Sequence, residues 1–370
     1  MPYQTDNRIV MTLDAGGTNF VFSAMQSGEE IVEPIRYPAF ADTLDEVLKT
    51  IVTGFREVKS RISNEPVAIS FAFPGPADYP NGIIGDLNNL PTFRGGVALG
   101  PMLSHIFGIP AYINNDGDLF VYGEAITGLL PEINRELEAA GSPKRYKNLF
   151  GVTMGTGFGG GFVIDGKLFL GDNAAGAEIW ATRNKLHPLA TAEEGVAIRA
   201  VQRVYAEKAG ISAEFAPEPK VLFEIARGET EGNKDAAIEA WRQLGETAGD
   251  AIANAINLFD ALVLVGGGLS GASEVFLPYL VQEMNNPLKR ITGETLCRME
   301  IEAFNLEDAE HKARFIKGEA KNLKIPGTAI NIAYDPLKRT GVGISKLGTS
   351  KAVSIGAYAF ALYKLDHQQT

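Results

Sequence analysis

The sequence is poor in cysteine, since Cys297 is the only one among 370 residues. One cysteine cannot close a disulfide within the chain, and it excludes a zinc site built from several cysteines. The sequence also lacks a run of about 18 apolar residues, and its first residues, MPYQTDNR, lack the basic start and apolar core of a signal peptide. We therefore expect a cytoplasmic protein with no membrane partner and no structural zinc ion.

Basic residues are outnumbered as well, 34 lysines and arginines against 45 aspartates and glutamates, which gives a net charge of −11. Surfaces that bind nucleic acids need clustered Lys and Arg side chains to neutralise phosphates. This balance argues against a nucleic-acid partner. The 45% of hydrophobic and 21% of charged residues are ordinary for a globular protein, and the length suits about two domains.

Residues 9–25, IVMTLDAGGTNFVFSAM, predict a β-hairpin, because two apolar runs flank the pair Gly16 and Gly17. Without a Cβ, these glycines let a bulky anion approach the backbone. Asp14 places a carboxylate where a metal-bound polyphosphate would be met. The spacing differs from GxxxxGK[ST], and a strand rather than a helix is expected next, so this is not a P-loop. An ordinary tight turn explains the same residues, and both interpretations are open.

Residues 110–124, PAYINNDGDLFVYGE, contain the candidate general base. A short strand precedes Asp116 and a helical pattern follows from Leu119, so this carboxylate lies where a bound hydroxyl could give up its proton. An aspartate that caps the helix is the alternative. The loop 85–91, GDLNNLP, offers amides that both donate and accept, which suits sugar hydroxyls, although solvated turn residues are equally compatible with it.

Two later stretches are dense in glycine. Residues 149–166, LFGVTMGTGFGGGFVIDG, match GxGxxG, but a strand is expected after the glycines, which argues against a dinucleotide site. We predict instead a second phosphate-binding hairpin about 140 residues after the first, a separation suited to two similar domains. Residues 261–270, ALVLVGGGLS, predict a buried strand followed by a helix from about Ser273. No ribose-binding acid follows, so a glycine turn against an adenosine is favoured over a dinucleotide oxidoreductase.

Other segments carry weaker signals. Glu178 ends a small-residue loop and is able to accept hydrogen bonds from two sugar hydroxyls. The charged segment 285–346 predicts mostly a solvated helix with strands around it, without a chemical role. Apolar spacing predicts helices at 44–62, 193–209, 239–259 and 351–365.

The order of the motifs resembles the ROK family of sugar kinases in the actin-like ATPase superfamily. The motifs are DAGGTN, PGPADYPNGIIGDLNNLP, NNDGDLFVYGEA, GTGFGGGFVIDG, AGAEI, VGGGLS and SIGAYAFAL. The resemblance implies an α/β protein with two actin-like (ribonuclease H-like) domains, each a twisted mixed sheet flanked by helices. It places ATP and sugar in the cleft between them and suggests a homodimer. We expect one domain at 1–125 plus 351–370 and the other at 126–350, with an extra segment at about 285–346.

The resemblance also implies residue roles. Asp116 falls on the catalytic base, and Asp14 would face Mg²⁺ through water. Substrate-binding residues would be Asn89, Asn115, Asp116 and Glu178. Residues that bind the ATP cofactor would be Gly16, Gly17, Thr18 and Asn19 in the first phosphate loop, Gly155, Thr156, Gly157 and Gly159 in the second, and Gly266, Gly267 and Gly268 in the adenosine loop.

The sequence departs from the family pattern after Glu178. The family continues into Gly-His and a cysteine-rich zinc motif, whereas Ile179-Trp180-Ala181 stand here and the cysteines are absent. Ala190 takes the position of a further glutamate. Members that act as repressors carry an N-terminal helix-turn-helix, for which the sequence has no segment.

These features support an ATP-dependent kinase that phosphorylates a hydroxyl, expected to be the 6-OH, of a hexose or N-acetylhexosamine such as glucose. The alternative is a non-catalytic protein that binds sugar or nucleotide, which the missing histidine suggests.

Overall fold

The computed structural model describes residues 2–16, 18–87 and 90–367. The chain forms two compact units. The first contains residues 1–128, 161–176 and 347–370, and the second contains residues 129–160 and 177–346. The sequence places residues 161–176 in the second domain, whereas here they pack within the first unit.

The first part of the chain alternates strands and helices. Its elements are β1 (Val10–Ala15), β2 (Asn19–Gln26), β3 (Glu29–Glu30), β4 (Ile35–Pro38), α1 (Leu44–Arg61), β5 (Ala68–Ala72), β6 (Ala77–Asp78), β7 (Ile83–Ile84), α2 (Leu99–Phe107), β8 (Ala111–Asn114) and α3 (Asp116–Thr127).

The remaining elements follow in the same way, with short 3-10 turns at Ile179–Ala181, Ala213–Phe215 and Ser270–Ala272. They are α4 (Leu129–Ala139), β9 (Leu149–Met154), β10 (Phe158–Ile164), β11 (Lys167–Phe169), α5 (Glu193–Val196), α6 (Ile198–Ala209), α7 (Pro219–Arg227), α8 (Lys234–Phe259), β12 (Leu262–Gly266), α9 (Ser273–Asn285), β13 (Leu288–Lys289), β14 (Thr295–Leu296), β15 (Glu302–Asn305), α10 (Ala309–Lys317), β16 (Lys321–Lys324), β17 (Asn331–Tyr334), β18 (Arg339–Ile344) and α11 (Thr349–His367).

The sheet of the first unit has the order β3-β2-β1-β5-β8, and β4 also pairs with β2. Strands β1 and β2 are antiparallel, which confirms the predicted opening hairpin. Strands β1, β5 and β8 are parallel, and the register aligns Asp14 with Ala72 and Ala72 with Asn114. The carboxyl ends of these three strands therefore meet at one edge of the sheet, the usual place for ligands in α/β proteins.

The predicted helix at 44–62 is confirmed as α1, which begins with a reciprocal capping box between Thr43 and Glu46. Its buried residues, Ile51 and Phe55 among them, pack in one core with Phe22 of the sheet. The hydrophobic effect thus fixes α1 against one face of the first sheet.

The last helix belongs to the first unit. Ile355 and Tyr358 of α11 pack against Val10 of β1. The helix also crosses α3 closely, since a Cβ on Gly356 would lie 1.9 Å from the Leu119 carbonyl oxygen. Only glycine permits this approach, so the chain end and α3 form one packed layer on the sheet.

The sheet of the second unit has the order β10-β9-β12-β18-β15, and β12 is parallel to both β9 and β18. Strand β10 leaves this unit at Gly161, and its end pairs with β11 within the first unit. Strand β12 is buried along its whole length, as the sequence predicts for 261–270.

Two predictions of helices need correction. The segment 285–346 contains only the nine-residue α10, while β15 and β18 join the buried sheet and two exposed hairpins project from it. The predicted helix at 193–209 is interrupted at Ala197, whose backbone is extended (φ −72°, ψ 165°). In the described part of the chain, no helix combines the length and apolarity that a membrane span requires.

Candidate active site

Asp116 lies at the start of α3, directly beyond β8. Asn115 caps this helix instead, because its Oδ1 accepts the Gly117 N–H at 2.8 Å. Asp116 accepts the same N–H through its own Oδ1 at 2.8 Å, and its side chain is exposed. Among the described residues nothing donates to its Oδ2. The carboxylate is thus held by the helix start and free to meet a ligand.

Asp14 ends β1 at the same edge of the sheet. Its Cα is two strands from Asn114, about 10 Å at the usual strand spacing. Burial and the negative charge of Asp116 raise the pKa of Asp14, and the positive charge of Arg36 partly offsets this rise. The predicted base Asp116 and the predicted metal-facing carboxylate of Asp14 therefore lie close enough for their charges to interact.

This arrangement fits a divalent cation. Two neighbouring carboxylates repel each other, and no described residue donates a hydrogen bond to the Asp14 carboxylate, so a cation would relieve an unfavourable charge. Within the described residues there is no group of three or more His, Cys, Asp or Glu side chains that could hold a metal. Mg²⁺ needs no such group, because it commonly uses one or two carboxylates together with waters and substrate phosphates.

The turn between β1 and β2 is the predicted first phosphate loop. Thr18 and Asn19 are exposed, and Asn19 Nδ2 donates to Thr18 Oγ1 at 3.2 Å. A Cβ on Gly16 would lie 3.1 Å from the Asn19 carbonyl oxygen, so the turn is tight. Two predicted site residues, Gly17 and Asn89, lie outside the described residues.

The predicted second phosphate loop connects β9 to β10, so the strand that the sequence predicts after these glycines is present. Its backbone is held by two charged side chains: Glu193 Oε2 accepts the Phe158 N–H at 3.0 Å, and Arg199 Nη1 donates to the Thr156 carbonyl oxygen at 3.0 Å. An ion pair of 2.8 Å joins Glu193 to Arg199. Sequence reasoning missed this support, because two glutamates and an arginine on a helical segment look like an ordinary solvated face.

Two glycines of this loop also lie close to neighbouring side chains. A Cβ on Gly157 would lie 2.8 Å from Glu193 Oε2, and one on Gly159 would lie 2.7 Å from Thr153 Oγ1. Gly155 and Thr156 remain at least partly accessible to solvent.

The predicted adenosine loop adjoins the second phosphate loop. Gly267 has a φ of +86°, and a Cβ there would lie 2.4 Å from the Met154 carbonyl oxygen. The Leu269 N–H donates to that same oxygen at 3.0 Å. The two glycine-rich turns are thus joined directly, as two parts of one nucleotide site would need to be.

Glu178 precedes the 3-10 turn Ile179–Ala181 and is exposed. Its loop packs on β10, since a Cβ on Gly160 would lie 2.6 Å from the Ala177 carbonyl oxygen. The indole Nε1 of Trp180 donates to Glu178 Oε2. One carboxylate oxygen thus already has a donor, but a carboxylate can accept about four hydrogen bonds, so the binding of two sugar hydroxyls by Glu178 stays a prediction.

Comparisons with known proteins agree on one family. The ROK family model matches residues 10–311. A crystal structure of a glucokinase from Parabacteroides distasonis is similar with 58% identity and a TM-score of 0.90, over 98% of this chain and 99% of that chain. A glucokinase from Thermotoga maritima is 27% identical over 71% of this chain and 83% of its own length. An N-acetyl-D-glucosamine kinase from Vibrio parahaemolyticus is 26% identical over 71% and 85%.

Proposed function

Because the chain belongs to the ROK family of sugar kinases, we propose that it is an ATP-dependent carbohydrate kinase. The resemblance noted in the sequence and the predicted actin-like α/β fold class are confirmed. The observation that carries the proposal is the exposed Asp116 beside Asp14 at the carboxyl edge of the first sheet. Phosphoryl transfer to an alcohol needs one carboxylate for the proton and one for the metal, and these two residues supply them.

In the proposed reaction, the sugar hydroxyl oxygen attacks the γ-phosphorus of ATP and its proton passes to Asp116 Oδ2. The bond from the γ-phosphorus to the bridging oxygen breaks, and ADP leaves with that oxygen. Mg²⁺, held through water by Asp14, would supply positive charge to the phosphate oxygens. Backbone N–H groups of both glycine-rich hairpins would stabilise the charge on the transferred group.

The nucleotide would be held by the loops that are already in contact in the second unit. The proposal assigns the phosphates to the turn at Gly155–Gly157 and the adenosine to Gly266–Gly268. Glu193 and Arg199 would keep the phosphate turn in its binding shape, because both engage its backbone.

The sugar is proposed to be glucose or N-acetylglucosamine, phosphorylated at the 6-OH, since the relatives are named as kinases of these two sugars. Asn115 uses its Oδ1 for the helix cap, so its Nδ2 would donate to a sugar oxygen. Asn89 and Glu178 are the other proposed sugar ligands. We further propose a cytoplasmic homodimer that binds neither nucleic acid nor membrane.

A non-catalytic binding protein is the second candidate. It is favoured by one observation, that Ile179-Trp180-Ala181 stand where the family resemblance leads one to expect a glycine and a histidine. The exposed Asp116 argues for turnover.

The deciding experiment measures ADP release from Mg·ATP with a panel of hexoses and N-acetylhexosamines, with a sugar-free reaction as background. We expect turnover on one or two sugars, and phosphorus NMR should show a 6-phosphate product. Binding of ATP and sugar without turnover on any sugar would contradict the kinase and favour the binding protein.

The hydrogen bond from Trp180 leads to a prediction about sugar affinity. Trp180→Phe keeps an aromatic ring but removes the N–H that orients Glu178. One hydrogen bond to a charged group contributes about 1.5 kcal/mol, so we expect the KM for sugar to rise about tenfold with a smaller change in kcat. Steady-state kinetics with sugar as the varied substrate measure this.

Trp180→His is the matched variant, because it restores a ring N–H donor and should recover part of the affinity. An unchanged KM in Trp180→Phe would mean that the indole does not position Glu178 for sugar binding.

A further inference from the structure

A short segment of the second unit, residues 182–192, lies in the sequence between two residues of the candidate site. Glu178, a proposed sugar ligand, precedes this segment, and Glu193, whose carboxylate holds the second phosphate loop, follows it. Arg183 and Thr191 form an antiparallel bridge, so the segment is a hairpin, which we call the connecting hairpin. Its position therefore bears on the sugar and on the phosphates.

Hydrogen bonds join the two ends of the connecting hairpin. The Ala192 N–H donates to the Thr182 carbonyl oxygen at 2.7 Å. Thr182 in turn donates to the Ile179 carbonyl oxygen, through its N–H at 3.1 Å and through its hydroxyl at 2.7 Å. Ile179 directly follows Glu178, and Ala192 directly precedes Glu193. A displacement of the hairpin would therefore move both glutamates.

The turn of the connecting hairpin is organised by Asn184, which is completely buried. Its Oδ1 accepts the N–H groups of Leu186 at 2.9 Å and of His187 at 3.0 Å, and its Nδ2 donates to the Thr191 carbonyl oxygen at 3.3 Å. A Cβ on Gly195 of α5 would lie 2.7 Å from that Nδ2. The hairpin therefore has a defined internal shape and packs closely on α5.

Lys185 attaches the connecting hairpin to two further helices. Its Nζ lies 2.8 Å from Glu246 Oε1 of α8 and 2.8 Å from Glu283 Oε2 of α9, and the Glu283 side chain is only 3% exposed. Burial opposes the charge of Lys185, but the hydrogen bonds and negative charges of Glu246 and Glu283 outweigh it and raise the pKa of Lys185 above its ordinary value of 10.5. The ammonium group therefore stays charged and bridges the hairpin to both helices.

We propose that Lys185 is a positioning residue whose two ion pairs hold the connecting hairpin against α8 and α9. In that position the hairpin orients Glu178 towards the sugar and keeps Glu193 on the second phosphate loop. Lys185 acts through the hairpin and needs no contact with a substrate. The inference rests on the proposed function, which assigns Glu178 to the sugar.

The glutamates that bind Lys185 have other cationic partners. Glu283 Oε1 accepts from Arg298 Nη1 at 2.6 Å, and Glu246 Oε2 accepts from Arg242 Nη1 at 2.6 Å. Replacing Lys185 therefore leaves neither carboxylate without a cation, which is the change that destabilises a protein strongly. The Lys185 side chain is itself 35% exposed, so its ion pairs should contribute little to global stability. A Lys185 variant should accordingly fold.

Titration calorimetry with glucose and with N-acetylglucosamine tests the inference without requiring turnover. Lys185→Met removes the ammonium group and keeps a long side chain, and Lys185→Arg restores a cation. The matched control is Arg242→Met, which also takes a cation from Glu246, but whose ion pairs with Glu239 and Glu246 lie within α8.

We expect the Kd of the more tightly bound sugar to rise about tenfold in Lys185→Met, the loss of about one hydrogen bond to a charged group. The Kd should recover in part in Lys185→Arg and stay nearly unchanged in Arg242→Met. A merely structural role of Lys185 would instead lower the binding stoichiometry and leave the Kd unaltered. An unaltered Kd in Lys185→Met, an equal rise in Arg242→Met, or equal Kd values in Lys185→Met and Lys185→Arg would overturn the proposal.

The inference and the proposed function fail in different experiments. Absence of ADP release from the unaltered chain contradicts the kinase, whereas the inference is decided by sugar binding in the Lys185 variants and by the exchange of backbone amides.

Hydrogen–deuterium exchange measures the attachment of the connecting hairpin without any ligand. Lys185→Met should increase the exchange of the Asn184 and Ala192 amides, which bond within the hairpin, and leave α8 as protected as in the unaltered chain. Arg242→Met should leave the hairpin amides as protected as before. Unchanged exchange of the hairpin in Lys185→Met, or a loss of protection that extends through α8, would overturn the proposal.

Discussion

Replacing Asp116 with asparagine is expected to lower kcat for sugar phosphorylation by about 10²–10⁴-fold, the usual contribution of a positioned general base. An asparagine keeps the Oδ1 that accepts the Gly117 N–H, so the start of α3 should be unchanged. The amide cannot take the hydroxyl proton. Initial rates of ADP release at saturating sugar and Mg·ATP measure the loss.

The control for this variant is Asp45→Asn, which removes an exposed carboxylate in the first turn of α1 and leaves the sheet edge intact. It should retain full turnover. Titration calorimetry should show nearly unaltered ATP affinity in Asp116→Asn, because the base acts on the sugar hydroxyl. Full turnover by Asp116→Asn would remove this residue from the mechanism.

Local patterns predicted the parts of the site that single segments build. The hairpin at Asp14 and the strand-turn-helix at Asp116 follow from alternating apolar residues, glycines and a capping residue, all close in sequence. The pattern left open whether Asp116 caps the helix, and the structure assigns that role to Asn115. The meeting of Asp14 with Asp116 at one edge follows from the parallel register, which no local pattern specifies.

Contacts between residues far apart in sequence could not be predicted from local patterns. The contact of Arg199 with Thr156 joins residues far apart in sequence, and Arg199 lies two residues after the helix break at Ala197. Strand β18, RTGVGI, carries two glycines and a charge, which disfavour a strand locally. It is nevertheless a central strand, because Arg339 is neutralised by Asp335 and β12 and β15 supply its hydrogen-bond partners.

Breaking the buried pair of Arg339 and Asp335 should have the largest effect on stability. Asp335→Ala leaves a fully buried guanidinium without its carboxylate, which typically costs about 3–5 kcal/mol of the free energy of unfolding. Urea denaturation measures this change. The control is Glu300→Ala, whose ion pair with Lys338 joins two exposed side chains and should contribute little.

Two further measurements separate the charge from packing. Asp335→Leu/Arg339→Met removes both charges and should be less destabilised than Asp335→Ala, and the opposite order would contradict this account.

The contribution of Asp335 to stability should depend on pH with a defined sign. Burial opposes the ionisation of Asp335, but the hydrogen bond and charge of Arg339, with the backbone N–H groups of Glu319 and Leu337, outweigh it and hold the pKa below its ordinary value of 3.8. The stability that Asp335 provides is therefore fully present above pH 3.8 and is lost as the pH falls through the lower native pKa. The difference in unfolding free energy between the unaltered chain and Asp335→Ala should accordingly become smaller only in that acidic range.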